Sequence, residues 1–122
     1  MMNLLAQQHP LVSAPWGNWQ ILDEHKSYKV KRVLIKPEQR LSYQSHEKRE
    51  ENWFIAAGSA TVTLDNKDYE LKTGDYIHIP VKAKHRIRNS SSNEDLIFIE
   101  IQRGSYFGED DIQRYQDDYG RS

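Results

Sequence analysis

Ser59-Ala60-Thr61-Val62-Thr63-Leu64-Asp65-Asn66-Lys67-Asp68-Tyr69-Glu70-Leu71 is the stretch on which the fold turns. From Ser59 to Leu64 the chain alternates, with Ala60, Val62 and Leu64 on one face, the two-residue period of a half-buried strand. Asp65-Asn66-Lys67-Asp68 has the composition of a hairpin turn, and Tyr69-Glu70-Leu71 runs back toward a second turn at Lys72-Thr73-Gly74-Asp75. Upstream, Trp53-Phe54-Ile55-Ala56-Ala57 is a short apolar run ending at Gly58. Leu41 to His46 reads as a strand with Ser42, Gln44 and His46 facing one way. Tyr28 to Lys36 alternates, with Val33 and Ile35 opposite Val30, Arg32, Leu34 and Lys36. Downstream, Tyr76 to Ile79 is a strand that Pro80 stops, and His85 to Asn89 is another patterned stretch. Leu96 to Gln102 is the most apolar strand, with Ile97, Ile99 and Ile101 on one face and Leu96, Phe98 and Glu100 on the other. Short strands between regular turns, with no long helical period, predict an all-β sandwich or barrel. The tail from Gly108 to Tyr119 is expected to be irregular or to form a helical turn or two, with Glu109 and Asp110 placed for a helix N-terminus.

The 122 residues suit one domain with a modest core. Residues 1–13 show no clear period and are expected to form an N-terminal arm, and residues 14–122 the barrel with its tail. Lys plus Arg number 17 against 18 Asp plus Glu, a balance that argues against a general nucleic-acid surface. With no cysteine there is no disulfide, zinc knuckle or thiol nucleophile. No run approaches the ~18 apolar residues of a membrane span, and the first residues lack a basic n-region, so a cytoplasmic protein is expected. Seven Tyr and three Trp must supply much of the core volume.

Gln44-Ser45-His46-Glu47-Lys48-Arg49-Glu50-Glu51 carries the chemistry. Gln44 and His46 share a strand face, and Glu51 follows far enough on for the chain to bend and return a carboxylate to the same place. His85 lies in a later strand. Together Gln44, His46, Glu51 and His85 form a mixed nitrogen and oxygen set that suits one divalent ion, Zn first, then Mn, Co, Ni or Fe. Spacing alone leaves open that each is a solvent-facing or hydrogen-bonded polar side chain.

Gln44-x-His46-x4-Glu51-x6-Gly58, followed by Gly74-x5-Pro80-x4-His85-x3-Asn89, resembles the two motifs of the cupin superfamily. The resemblance implies a double-stranded β-helix (jelly-roll) barrel with a central metal. Two glycines usual in those motifs are replaced by Glu38 and Lys82. Pro15-Trp16-Gly17, Tyr28-Lys29-Val30-Lys31-Arg32, Leu41-Ser42-x-Gln44-x-His46, Arg49-x-Glu51-x-Trp53 and Tyr106-x-Gly108-Glu109-Asp110-Asp111-Ile112-x-Arg114, with Asp117-x-Tyr119-Gly120-Arg121, are similar to the type II phosphomannose isomerase domain. That domain usually forms the C-terminal part of a mannose-1-phosphate guanylyltransferase/mannose-6-phosphate isomerase. Departures occur at Glu47 and Lys48, where the family has His, at Asn52, also usually His, and at Ala14, usually Arg.

The resemblance implies a metal-dependent isomerase that interconverts mannose 6-phosphate and fructose 6-phosphate through a cis-enediol, with no guanylyltransferase domain in this chain. Glu109 is the first candidate for the base, against a helix-turn charge. Arg49, the second catalytic candidate, is expected to hold substrate oxygens or the phosphate, against a surface ion pair with Glu47 or Glu50. Lys29, Lys31, Arg114 and Arg121 are the phosphate-binding candidates. His9, His25 and His78 read as structural, and Trp16 and Trp53 as core. Two alternatives stand beside this: another cupin enzyme on a small substrate, such as a sugar isomerase or an oxygenase, and a non-catalytic metal- or sugar-binding cupin. A homodimer is expected, since strand pairing across a two-fold would cover exposed edges.

Overall fold

A computed structural model describes residues 9–121. Eleven strands are found among them and no α-helix. They are β1 Val12–Ala14, β2 Gly17–His25, β3 Tyr28–Ile35, β4 Tyr43–Ser45, β5 Arg49–Ala57, β6 Ser59–Leu64, β7 Lys67–Lys72, β8 Tyr76–Ile79, β9 His85–Asn89, β10 Leu96–Gly104 and β11 Gln113–Gln116. All pairings are antiparallel. One sheet runs β1-β2-β3-β10-β5-β8 and the other β11-β4-β9-β6-β7. The barrel is therefore two facing sheets, with no ladder closing them into a cylinder among the described residues.

The opening hairpin forms as its sequence requires. Leu64 pairs with Lys67, and the two-residue turn Asp65-Asn66 has φ values of 47° and 69°. Left-handed backbone at both turn positions matches the right-handed twist of the strands, and Asp and Asn tolerate it. Gly58, between β5 and β6, has φ 88°, and a Cβ there would lie 2.6 Å from the Asp95 carbonyl oxygen. Glu38 and Lys82, the two replacements for glycine, hold φ values of 64° and 69°. These turns keep a glycine-like backbone while carrying long side chains, at a cost on the order of 1 kcal/mol each.

The apolar core lies between the sheets. Val33, Ile35, Ile55, Leu96 and Phe98 come from one sheet, and Ala60, Val62 and Ile87 from the other. Trp53 packs against Phe98 with ring centroids 5.3 Å apart. Asn89 is fully buried and satisfied: its amide donates to the Ile35 and Glu94 carbonyls at 2.9 and 2.7 Å, and its oxygen accepts from Ser91 N–H. It anchors the polar loop that leads into β10.

Two sequence expectations are corrected here. The tail from Gly108 to Tyr119 contains no helix; it forms β11, which pairs with the short β4. Arg114 lies opposite Gln44 in that pairing, and ladder hydrogen bonds with β4 outweigh the weak helix signal of an acidic pair. The strand expected from Leu41 to His46 is only Tyr43–Ser45, preceded by an isolated bridge between Arg40 and Arg88. Val12 and Ser13, the last residues of the expected arm, are hydrogen-bonded into the larger sheet through β1. Residues 1–8 of that arm lie outside the described residues.

Candidate metal centre and cavity

Three strands bring the candidate ligands together. Glu51 and Arg49 sit two apart on β5 and face inward. His85 opens β9, with its Cα opposite Gln44 on β4 and Leu64 on β6. His46 follows β4 directly. One ligand atom each from His46, Glu51 and His85 lies within 4.8 Å of the others, and all three residues are buried. Gln44, His46 and Glu51 line a cavity, with His85 buried behind them, and Gln44 accepts a hydrogen bond from Ser42 Oγ at 3.2 Å.

Both imidazoles are oriented the same way. His46 Nδ1 meets the Asp111 carbonyl oxygen, and His85 Nδ1 meets that of Ala83 at 3.0 Å. A ring that donates Nδ1–H to a carbonyl presents Nε2 as a lone pair, the tautomer suited to ligation. His85 Nε2 is buried with no hydrogen-bond partner among the described residues. His46 Nε2 is 3.4 Å from Glu51 Oε2. Burial, the leading influence, depresses the pKa of both histidines despite the pull of Glu51, so both stay neutral at neutral pH. Burial pushes Glu51 the other way. Arg49, His85, His46 and the Trp53 N–H outweigh it and hold the carboxylate at about 2. Two neutral imidazoles, one of them with an orphaned Nε2, and one carboxylate fit a divalent ion.

The candidate ligands are braced by residues whose sequence signal pointed elsewhere. Trp53 is core, as expected, but its Nε1–H also donates to Glu51 Oε1 at 2.8 Å. The signal was the i, i+2 spacing, which puts Trp53 and Glu51 on one face. Asp111 in the tail accepts from the Glu47 and Lys48 N–H groups at 3.1 and 3.0 Å, so the tail pins the turn that carries His46.

The cavity has a volume of about 300 Å³, in the range of small-molecule sites. Its polar wall includes Lys31, Arg49, Glu100, Glu109, Arg114 and Arg121, and its apolar wall Trp16, Trp19, Val33, Leu41 and Ile112. Lys31 is buried, sits 4.2 Å from the Trp19 ring centroid and pairs with Glu109 Oε2 at 2.7 Å. Desolvation on the cavity wall favours the neutral acid at Glu109, although its side chain is largely exposed, but Lys31 overrides it and lowers that pKa. Arg121 is held by Asp117 at 2.7 Å. Lys29 is not brought in; its ammonium donates to the Phe107 carbonyl at 3.1 Å.

Two alternatives from the sequence are ruled out by geometry. Arg49 does not form a surface pair with Glu47 or Glu50. It is buried, with Nε 2.9 Å from Glu51 Oε2 and Nη2 3.3 Å from His46 Nε2. Glu50 instead meets Arg103 and His78 on the outside. Glu109 is on no helix, so it is not a helix-terminus charge.

The departures from the resembling family fall unevenly. Glu47 and Lys48 are exposed, Asn52 contacts His78, and none of the three lines the cavity. Ala14 does line it. Glu100 lines it too, buried among polar neighbours, and no site role was expected of it. A Glu in phase with Leu96 and Phe98 was the signal available.

Two facing antiparallel sheets around a buried His, Glu and His cluster define a cupin. The RmlC-like cupin from Shewanella frigidimarina shares the fold, with a TM-score of 0.72 over 85% of this chain and 89% of that one at 16% identity. Within that fold, the chain belongs to the family described as mannose-6-phosphate isomerase C-terminal, whose model matches residues 3–117. The alginate biosynthesis protein AlgA of Pseudomonas syringae pv. tomato is 42% identical over 116 residues, 95% of this chain and 24% of that protein. The mannose-1-phosphate guanylyltransferase of Salmonella montevideo is 40% identical over 114 residues, 93% of this chain and 24% of that protein. The chain thus spans about a quarter of the length of these relatives. No helix of the described residues is long and apolar enough to cross a membrane.

Proposed function

We propose that this domain holds one divalent ion with Gln44, His46, Glu51 and His85 and interconverts mannose 6-phosphate and fructose 6-phosphate through a cis-enediol. The observation that carries this is the buried cluster of two neutral imidazoles and a carboxylate opening onto a cavity lined by four cations, Lys31, Arg49, Arg114 and Arg121. Membership of the isomerase family supplies the substrate class.

A bound dication supplies positive charge beside the substrate oxygen that gains electron density as the proton leaves carbon. The protein's own residues do the rest. Arg49 Nη1 is buried without a partner among the described residues, a donor available to a sugar oxygen. Lys31, steadied by Trp19 and Glu109, contributes a second fixed positive charge. Arg114 and Arg121, brought in by the tail, suit the phosphate. Trp16, Trp19 and Ile112 exclude water on the apolar side. A carboxylate on the wall moves the proton between C1 and C2.

A coupled assay for fructose 6-phosphate formed from mannose 6-phosphate tests the proposal, run with Zn, Co, Mn or Ni. Metal-dependent turnover is expected. Absence of turnover with every metal would sink it and leave a binding cupin or a different substrate.

A further inference from the structure

We infer that Glu100, rather than Glu109, is the group that carries the proton between C1 and C2. This rests on the isomerase reading above and deepens it. β10 turns Leu96, Phe98, Glu100 and Gln102 into the interior and leaves Ile101 44% exposed. A carboxylate thus takes an inward position on the most apolar strand. Burying it is costly unless it is used or compensated.

The register places it precisely enough to matter. Glu100 lies opposite Lys31 on β3 and Trp53 on β5, and Gln102 lies opposite Glu51. Glu100 is therefore one inward position deeper than the ligand Glu51, about 7 Å along the strand. A sugar with its carbonyl oxygen at the cluster would set the neighbouring C–H bond against that deeper wall. Glu100 lines the cavity and accepts a hydrogen bond at Oε2 from the Gln102 amide. Gln102 is fully buried, so this carboxylate is fixed in place.

Glu109 is differently placed. Its side chain is 59% exposed and its Oε2 is engaged by Lys31. That ion pair suits it to hold Lys31 toward the substrate, not to take a proton from carbon. In the metal-free protein burial, then the charge of Glu51, raises the Glu100 carboxyl to about 7 against the pull of Lys31 and Arg49, the opposite direction from Glu109.

The step balances without a further reactant. The Glu100 carboxylate takes the C2 proton, the C2–H electron pair becomes the C1=C2 bond, and O1 is protonated. Glu100, now the acid, gives its proton to C1 as O2 loses its own and the C2=O bond forms. Net, one proton passes from C2 to C1 through Glu100, and one from O2 to O1 through solvent.

The test uses the native chain, Glu100→Gln and Glu109→Gln, each loaded with Co and given mannose 6-phosphate in deuterium oxide. NMR follows deuterium entering C2 of mannose 6-phosphate and C1 of fructose 6-phosphate. Metal stoichiometry and melting temperature are measured alongside. E100Q is expected to lose exchange and turnover by about 1,000-fold while binding one metal and staying folded. E109Q is expected to raise KM through the released Lys31 while exchange continues. Exchange by E100Q within tenfold of native, or its loss in E109Q alone, overturns the assignment and leaves the isomerase reading standing. No exchange by the native chain overturns both.

Discussion

The interior of this domain has two halves built from the same three strands. At one end β3, β5 and β10 contribute Ile35, Val33, Ile55, Leu96 and Phe98, which pack without polar atoms. At the other they contribute Lys31, Glu51, Glu100 and Gln102, all buried. Register makes the change abrupt: Phe98 opposes Val33 and Ile55, and one inward step later Glu100 opposes Lys31 and Trp53. The apolar half provides burial free energy, and the polar half spends part of it to keep charges out of water, where their fields are strong. Trp53 is the join, with its ring against Phe98 and its N–H on Glu51.

The largest break in this comparison is expected in the apolar half. Phe98→Ala leaves a cavity beside Trp53 and should cost about 3–5 kcal/mol in urea unfolding, with metal uptake per folded chain unchanged. A small stability change, or lost metal binding in the folded variant, would mean that the halves are not separable. Trp53→Phe is the next break. It keeps most of the packing and removes the donor to Glu51, so metal affinity should fall about 10–100-fold, as read by chelator competition.

Glu100 sharpens the comparison through pH. Its carboxyl is raised from an ordinary 4.5 to about 7, so the native state binds the extra proton. That contribution to stability is present below the unfolded value of 4.5 and is lost as pH rises through 7. Glu100→Gln cannot ionise. In metal-free protein it should gain on the native chain by on the order of 2 kcal/mol between pH 5 and pH 8. Equal urea midpoint differences at the two pH values would contradict the raised value. The smallest effect belongs to the turns. Glu38→Gly and Lys82→Gly relieve left-handed backbone and should each raise stability by about 0.5–1 kcal/mol, with the metal centre untouched.

Much of this was legible in the sequence. The strand periods carried the all-β architecture, and the motif resemblance, more than spacing, singled out Gln44, His46, Glu51 and His85, of which His46, Glu51 and His85 lie together. The two faces of β10 were separable by period, but period does not say which face is inside. Its isoleucines look like the core face, yet pairing with β3 and β5 turns Glu100 and Gln102 inward. Asp111 was visible only as one acid in a run, because its role depends on a contact with the His46 turn across 64 residues. The tail misled because β11 gains its ladder bonds from β4, a partner that local composition cannot reveal. Lys29 shares a face with Lys31, but the carbonyl of Phe107 draws its ammonium away from the cavity.

The account stands on the polar half being a metal centre. Its most direct test is a titration of the metal-free chain with Co(II), followed by the ligand-field absorption of the ion, alongside His85→Ala. One ion per native chain, with a visible spectrum that H85A lacks while remaining folded, is the predicted result. No uptake by the native chain, or an unchanged spectrum in H85A, would contradict it.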